Sequence, residues 1–253
     1  MMKKYLFKLI LFLCVACNNP APVSDLQLEN CNGKIKSITT STYYYDSTKA
    51  APYLGKLINK SIRDFNLDGN ETSFTYINEE DEIETIRKNS FDKKNIKTES
   101  KESDEEGNLL YTTKYSYDKN FNLVEISTTE HNTNTITKQV NLFDKLNNLI
   151  GTTGYKGNNE VDFKADYKYN EKNQLIEEKI FLADGTMDYR ADNKYDEKGR
   201  ILSNTGFAKD SSRLWQIRYD YKIFDKEENW LLRNVYRDSL LIKVEQVQIE
   251  YHP

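Results

Sequence analysis

Side chains able to do chemistry are few in this 253-residue sequence, and they are scattered. The two histidines, His131 and His252, lack any metal-ligand spacing and read as solvated surface groups. Cys31 has no base within sequence reach that would make it a nucleophile. The run Asp64-Phe65-Asn66-Leu67-Asp68-Gly69 begins as calcium loops do, with oxygen ligands at alternating positions and then glycine. Its twelfth position is Thr75, where a bidentate Glu is needed, so turn chemistry accounts for the same residues. The acidic clusters Glu79-Glu80-Asp81-Glu82 and Asp104-Glu105-Glu106 contain the paired carboxylates a glycosidase uses. Both fall at expected turns, where solvated charge guards strand ends. No phosphate loop, nucleophile elbow or zinc motif occurs, so the sequence implies no enzyme, metal or cofactor. Trp215 and Trp230 lie off the repeat anchors described below, which makes them candidates for a ligand platform.

What positions these residues begins with an address. Lys3, Lys4 and Lys8 precede or enter the apolar run Leu9-Ile10-Leu11-Phe12-Leu13, which is too short to span a bilayer. Residues 1–16 have the layout of a secretory signal peptide. Cys14-Val15-Ala16-Cys17 follows, with a small residue immediately before the second cysteine. This resembles the lipobox of bacterial lipoproteins, with Cys14 standing where that pattern prefers Leu. The resemblance implies that Cys17 is acylated and becomes the first residue, placing the protein on a membrane. Cys31 is then the one remaining thiol, and no internal disulfide can form. Loss of residues 1–16 leaves 33 basic against 40 acidic residues, a net charge of about -7 with no basic cluster. Nucleic acid is therefore not an expected partner. Residues 17–33 open with Asn18-Asn19-Pro20-Ala21-Pro22 and read as a lipidated tether. Surface lipoproteins of the Bacteroidetes resemble one another in acidic residues after the cysteine. Asn and Pro here point to the periplasmic side of the outer membrane, with the cell surface as the alternative.

Residues 34–253 form one repetitive domain. An aromatic followed by Asp or Asn recurs every 26 residues: Phe65-Asn66, Phe91-Asp92, Tyr117-Asp118, Phe143-Asp144, Tyr169-Asn170 and Tyr195-Asp196. Three residues after each Asx stands Gly69, Asn95, Phe121, Asn147, Asn173 or Gly199, mostly types that enter positive φ cheaply. Such a pattern fits a hairpin loop built on a type I turn with a left-handed exit. Apolar pairs follow in the later copies, from Leu123-Val124 to Ile201-Leu202. A second turn signal lies mid-unit, as at Glu106-Gly107 and Asp184-Gly185, leaving two strands per unit. Phe224-Asp225 marks a seventh unit drifted by about three residues, and Lys34 to Lys60 a degenerate hairpin upstream.

Tyr-Asp turns followed by Gly or Asn and an apolar strand resemble the YD repeats of Rhs-type proteins. They are also similar to YD-like lipoproteins of the Bacteroidetes. The resemblance covers about residues 34–251 and implies architecture rather than activity. The aspartyl-protease region and toxin domain of Rhs proteins have no counterpart here.

The expected fold is all-β: an antiparallel up-and-down meander of 26-residue hairpins. So wide a sheet must curl, and an open barrel or spiral is the expected form, with closure the other solution. Charges of both parities in Leu175-Ile176-Glu177-Glu178-Lys179-Ile180-Phe181 leave no face for lipid. The functional expectation is a non-enzymatic, lipid-anchored envelope scaffold or binding module. Its partner would be an envelope protein or a glycan, with carbohydrate binding or hydrolysis along an aromatic face as the second reading.

Overall fold

A computed structural model describes residues 23–253. Residues 1–16, read from sequence as a signal peptide, and Cys17, read as a lipidation site, lie outside the described residues. A single helical turn, α1 (Asp25–Leu28), precedes sixteen strands. These are β1 (Ile35–Tyr45), β2 (Leu54–Phe65), β3 (Glu71–Ile77), β4 (Ile83–Phe91), β5 (Lys97–Ser103), β6 (Leu109–Tyr117), β7 (Leu123–Glu130) and β8 (Thr135–Phe143). They continue as β9 (Leu149–Tyr155), β10 (Val161–Tyr169), β11 (Leu175–Leu182), β12 (Met187–Tyr195), β13 (Ile201–Phe207), β14 (Arg213–Phe224), β15 (Trp230–Arg237) and β16 (Leu240–Tyr251).

Each strand pairs antiparallel with its chain neighbours, the up-and-down meander of hairpins that the repeat predicts. The sheet closes. β1 pairs with β16 from Ile35 opposite Tyr251 to Tyr44 opposite Lys243, so the chain takes the closed form rather than the open barrel or spiral. Closure removes both unpaired edges, each of which would otherwise present a row of backbone groups to other chains.

Strand register carries one set of side chains around the whole barrel. Ile38 lies opposite Arg63, Arg63 opposite Phe74, and Phe74 opposite Arg87. Where the circle returns to β1, Arg233 faces Glu245 and Glu245 faces Thr42. Leu26 of α1 packs into a buried cluster with Ile35, Ile38, Phe65 and Val247, which identifies this face as the lumen. The opposite face carries charge in mid-strand, at Lys60, Lys88, Lys114, Lys138, Lys164, Lys179, Arg190 and Arg218. Cross-strand ion pairs such as Lys138–Glu125 (2.8 Å) and Lys168–Glu177 (2.8 Å) run over it. Charge at the midplane of a lipid-facing wall costs several kcal/mol per residue.

Candidate functional site: the barrel lumen and its plugged mouth

One mouth is ringed by the repeat turns. In each, the Asx side chain accepts backbone hydrogen bonds from the residues two and four further on. Asp118 Oδ1 accepts from the amides of Asn120 (2.8 Å) and Asn122 (2.9 Å), and Asp144 Oδ1 accepts from Leu146 and Asn148. Asn66, Asp92, Asn170 and Asp196 do the same. The aromatic before each turn pairs with the first residue of the next strand across a register shift: Phe91 with Lys97, Tyr117 with Leu123, Phe143 with Leu149, Tyr169 with Leu175, and Tyr195 with Ile201. Leu123, Leu149 and Leu175 are buried there.

The segment from Val23 to Gly33, read from sequence as the end of the tether, is built onto this mouth. Ser24 and Gln27 form a reciprocal capping box that starts α1. The Leu26 amide donates to the Gly69 carbonyl in the β2–β3 turn. Asp25 Oδ2 accepts from the Glu71 amide (2.7 Å) and pairs with Lys97 (3.2 Å). Arg63 grips Glu29 with both terminal nitrogens at 2.6 Å. Across the mouth, Asn32 and Asn229, in the β14–β15 turn, exchange hydrogen bonds of 2.8 Å. The Tyr251 hydroxyl donates to Asp225 and accepts from Asn229. The segment thus spans turns from both sides of the β1–β16 seam and plugs the mouth.

The repeat explains the polar residues that hold the plug by their departure from it. Where later units place Leu123, Leu149 and Leu175 after the turn, the first two place Glu71 and Lys97. The Lys97 side chain pairs with Asp25, and the Glu71 carboxylate holds Arg63, which grips Glu29. Glu71 is 5% exposed and pairs with Arg63 and Arg87, each at 2.7 Å. Burial by itself would push its carboxyl up, but the two guanidiniums outweigh burial and hold it below the usual carboxylate range.

Above the plug, the lumen shows a longer period that the 26-residue reading missed. Two residues before the anchors from Phe91 to Tyr195, the chain alternates Asn89, Tyr115, Asn141, Tyr167 and Asn193, and Tyr219 continues the spacing, a period of 52; Arg63 stands before the first anchor, Phe65. Each Asn amide donates to a backbone carbonyl eighteen residues earlier: Asn89 to Glu71 (2.6 Å), Asn141 to Leu123 (2.8 Å) and Asn193 to Leu175 (3.1 Å). Each Asn oxygen in turn accepts from a side chain eleven residues later: Ser100 (2.6 Å), Thr152 (2.9 Å) or Asn204 (2.9 Å). Ser100 then meets the Tyr115 hydroxyl at 2.9 Å, and Thr152 hydrogen-bonds Tyr167. The signal was in the sequence as alternation of Asn with Tyr, invisible while only turn residues were aligned.

Aromatic rings line the lumen wall one level further from the plug. The ring of Phe163 lies over Gly154, where a Cβ would meet it at 2.1 Å. Fifty-two residues on, Trp215 lies over Gly206 with 2.3 Å to a Cβ there. Between them Tyr189 packs edge-on to Trp215, with ring centroids 5.4 Å apart. Trp215 therefore has a repeat position of its own, and its Nε1 donates to Asn204 (3.0 Å). Trp230 sits at the plugged end, against the core beneath α1 and under the Arg233 guanidinium at 4.2 Å.

The remaining residues singled out from sequence have ordinary local roles. His131 Nε2 meets the Thr112 hydroxyl at 2.8 Å, and His252 lies 3.3 Å from the Phe65 carbonyl. Burial pushes the Cys31 thiol up to about 12, which leaves it protonated and unreactive. In the calcium-like run, Asn66 caps its own turn, Asp64 accepts from Ser73, and Asp68 accepts from Asn95. Among the described residues, no three His, Cys, Asp or Glu side chains converge to hold a metal.

Glu178 stands out on the lumen face. It lies opposite Tyr167 on β10 and Ala191 on β12 and is 5% exposed. At the equivalent position, opposite the residue two before the anchor, Phe74 and Ile126 occupy the other members of its 52-residue series. Its Oε1 has no hydrogen-bond partner among the described residues. Burial alone raises its carboxyl to about 7.

These features define a class: a closed sixteen-stranded β-barrel with charge on its outer wall, one plugged mouth and a polar, tyrosine-rich lumen. Its fold is similar to that of a porin-like protein from Bacteroides uniformis, with a TM-score of 0.59 at 9% identity over 87% of this chain and 99% of that one. At that identity the likeness is one of fold alone. A porin-like protein from Bacteroides vulgatus aligns at a TM-score of 0.36 and 10% identity, over 87% of this chain and 98% of that one. A chain of the Photorhabdus luminescens Tc holotoxin pore aligns at 0.33 and 11% identity, where this chain covers 84% of its own length and 16% of the other's. Scores this low carry no argument about fold. No protein-family model matches the chain, and no curated protein aligns with it.

Proposed function

We propose that the chain is a non-enzymatic, lipid-anchored protein of a bacterial envelope that binds its ligand inside the barrel. The carrying observation is the contrast between the two faces of one sheet. The outer wall carries exposed lysines and ion pairs at mid-strand, whereas the lumen, beyond its buried ion-pair clusters, concentrates tyrosines, asparagines and flat-lying rings. A scaffold has no need of such a lumen, and a lipid-embedded pore would need an apolar outer wall. The porin-like relative therefore supports the shape and not insertion. Lipidation at Cys17 rests on the lipobox resemblance, and geometry gives it a consequence. Six residue steps separate Cys17 from the plug at Val23, a span of roughly 20 Å at most. The plugged mouth would then face the membrane and the other mouth would face away. A glycan is the favoured ligand class for the ring-lined level, because Phe163, Tyr189 and Trp215 present faces of the kind that stack on sugar rings.

Fractionation tests the anchor. Cys17→Ser should move the protein from the membrane pellet to the soluble fraction, and a mutant that still pellets refutes it. A thermal-shift series with envelope oligosaccharides tests the lumen. A stabilisation abolished by Trp215→Ala is expected, and one unchanged by it counts against the ring-lined site.

A further inference from the structure

Among the described residues the lumen wall buries three carboxylates, and two of them carry their own cations. Glu71 has Arg63 and Arg87 at 2.7 Å. Glu245 is 7% exposed and has Arg233 at 2.5 Å and Lys243 at 2.7 Å. Glu178 is buried to the same degree with no such partner, and one oxygen makes no hydrogen bond among the described residues. It also occupies a position at which the chain elsewhere uses Phe74 and Ile126, so nothing in the repeat calls for a carboxylate. A buried acid without a partner costs stability wherever it is charged. The departures at Glu71 and Lys97 are explained by the plug they hold, and Glu178 has no counterpart within the chain.

The surroundings state what would complete it. Ala165 and Ala191 flank it on β10 and β12 with almost no side-chain bulk. The titratable groups facing it are Tyr167 on β10 and Tyr189 on β12, whose hydroxyls are held protonated by burial first and by its charge second. Tyr167 already has Thr152 as its partner, which leaves the carboxylate unserved. Tyr189 adds a ring that continues to Trp215.

Building on the lumen as a binding site, we propose that Glu178, with the rings of Tyr167 and Tyr189, binds a small organic cation. The cation would be a protonated amine whose charge stands where Arg63 stands for Glu71. The carboxylate supplies the counter-charge and the rings supply cation–π attraction in a desolvated setting. Specificity for an amine over a neutral isostere follows, because only the cation repays the cost of ionising Glu178.

Calorimetric titration of the full chain with benzylamine, and with benzyl alcohol as its neutral match, tests the assignment. Benzylamine should bind wild type at pH 8. Its affinity should weaken about tenfold at pH 6, where the carboxyl takes up its proton. Glu178→Gln keeps the shape and Glu178→Ile restores the residue type of Ile126, and both should lose benzylamine at least tenfold. Equal binding to wild type and Glu178→Ile, or no heat at pH 8 with millimolar benzylamine, overturns the proposal. Oligosaccharide binding that survives in Glu178→Ile alongside either result leaves the lumen reading in place and removes only the cation.

Discussion

The plugged end of the barrel and the middle of its wall handle the same electrostatic problem differently. At the plug, a carboxylate is buried together with two guanidiniums and a helix, and the cluster closes on itself. In the wall, Glu178 is buried beside tyrosines and alanines with no cation paired to it among the described residues. Both residues interrupt a repeat that would otherwise place an apolar side chain. One interruption is consumed by folding, and the other is left available. The comparison suggests a rule for repetitive barrels: departures from the repeat that find partners within the chain are structural, and those that find none mark sites.

The largest expected effect breaks the closed side of this comparison. Arg63→Ala removes the residue that joins Glu71 to Glu29 and leaves a buried carboxylate with one cation. Breaking a buried pair from one side costs about 3–5 kcal/mol. Urea unfolding should show a loss of that order. A loss below about 1 kcal/mol would mean that Arg87 alone suffices and that the plug is held mainly by Leu26. Reduced protection of the plug amides to hydrogen exchange would accompany the larger loss.

The second prediction addresses the open side through pH. Burial raises the Glu178 carboxyl from its ordinary 4.5 to about 7. The folded state therefore holds a proton that the unfolded chain releases between those values. Stability from this group is fully present below pH 4.5 and is lost as pH rises through 7, about 3 kcal/mol in all. Glu71 and Glu245 are depressed, so their contribution is present above the ordinary carboxylate range and fails only as pH falls through their lower values. Between pH 5 and 8 the wild type should thus lose stability while Glu178→Ile stays nearly flat and ends the more stable at pH 8. Chemical denaturation at several pH values checks the slope. Parallel curves for the two proteins would show that Glu178 finds a partner in solution.

How much of this was legible in the sequence follows from which interactions are local. The 26-residue period, the turns and the meander depend on Asx caps and on residues that tolerate positive φ, all set within five positions. Closure depends on Ile35 finding Tyr251 across more than two hundred residues, and on register summed over sixteen strands, which no local motif encodes. The plug was hidden in a short segment whose one signal, Ser24 with Gln27 three residues later, is a capping box too brief to announce a helix. The lumen chemistry was readable in principle, because Asn89, Asn141 and Asn193 recur at a fixed spacing. It became visible once strand register showed which side chains face inward. Trp215 lies off the turn anchors, and its own repeat position, with the ring over Gly206 as that of Phe163 is over Gly154, shows only through the pairing of strands.

The smallest effect lies in the turns and tests whether the units of the wall are energetically equivalent. Six repeat turns end on a residue in the left-handed region: Gly69, Asn95, Phe121, Asn147, Asn173 and Gly199. Phe121 holds φ at 64° although it has none of the backbone freedom of Gly or the local hydrogen bonding of Asn. Lys94 stands over its ring at 5.9 Å, a surface contact too long and too solvated to offset much of the strain. Phe121→Asn should therefore stabilise the barrel by about 0.5–1 kcal/mol, raising the urea midpoint without changing its slope. Asn147→Phe, the converse change one unit further on, should cost a similar amount. If Phe121→Asn instead destabilises the protein, the ring serves the rim of the plugged mouth. Position 121 would then join Glu71 and Lys97 among the departures that folding itself explains, leaving Glu178 as the one that it does not.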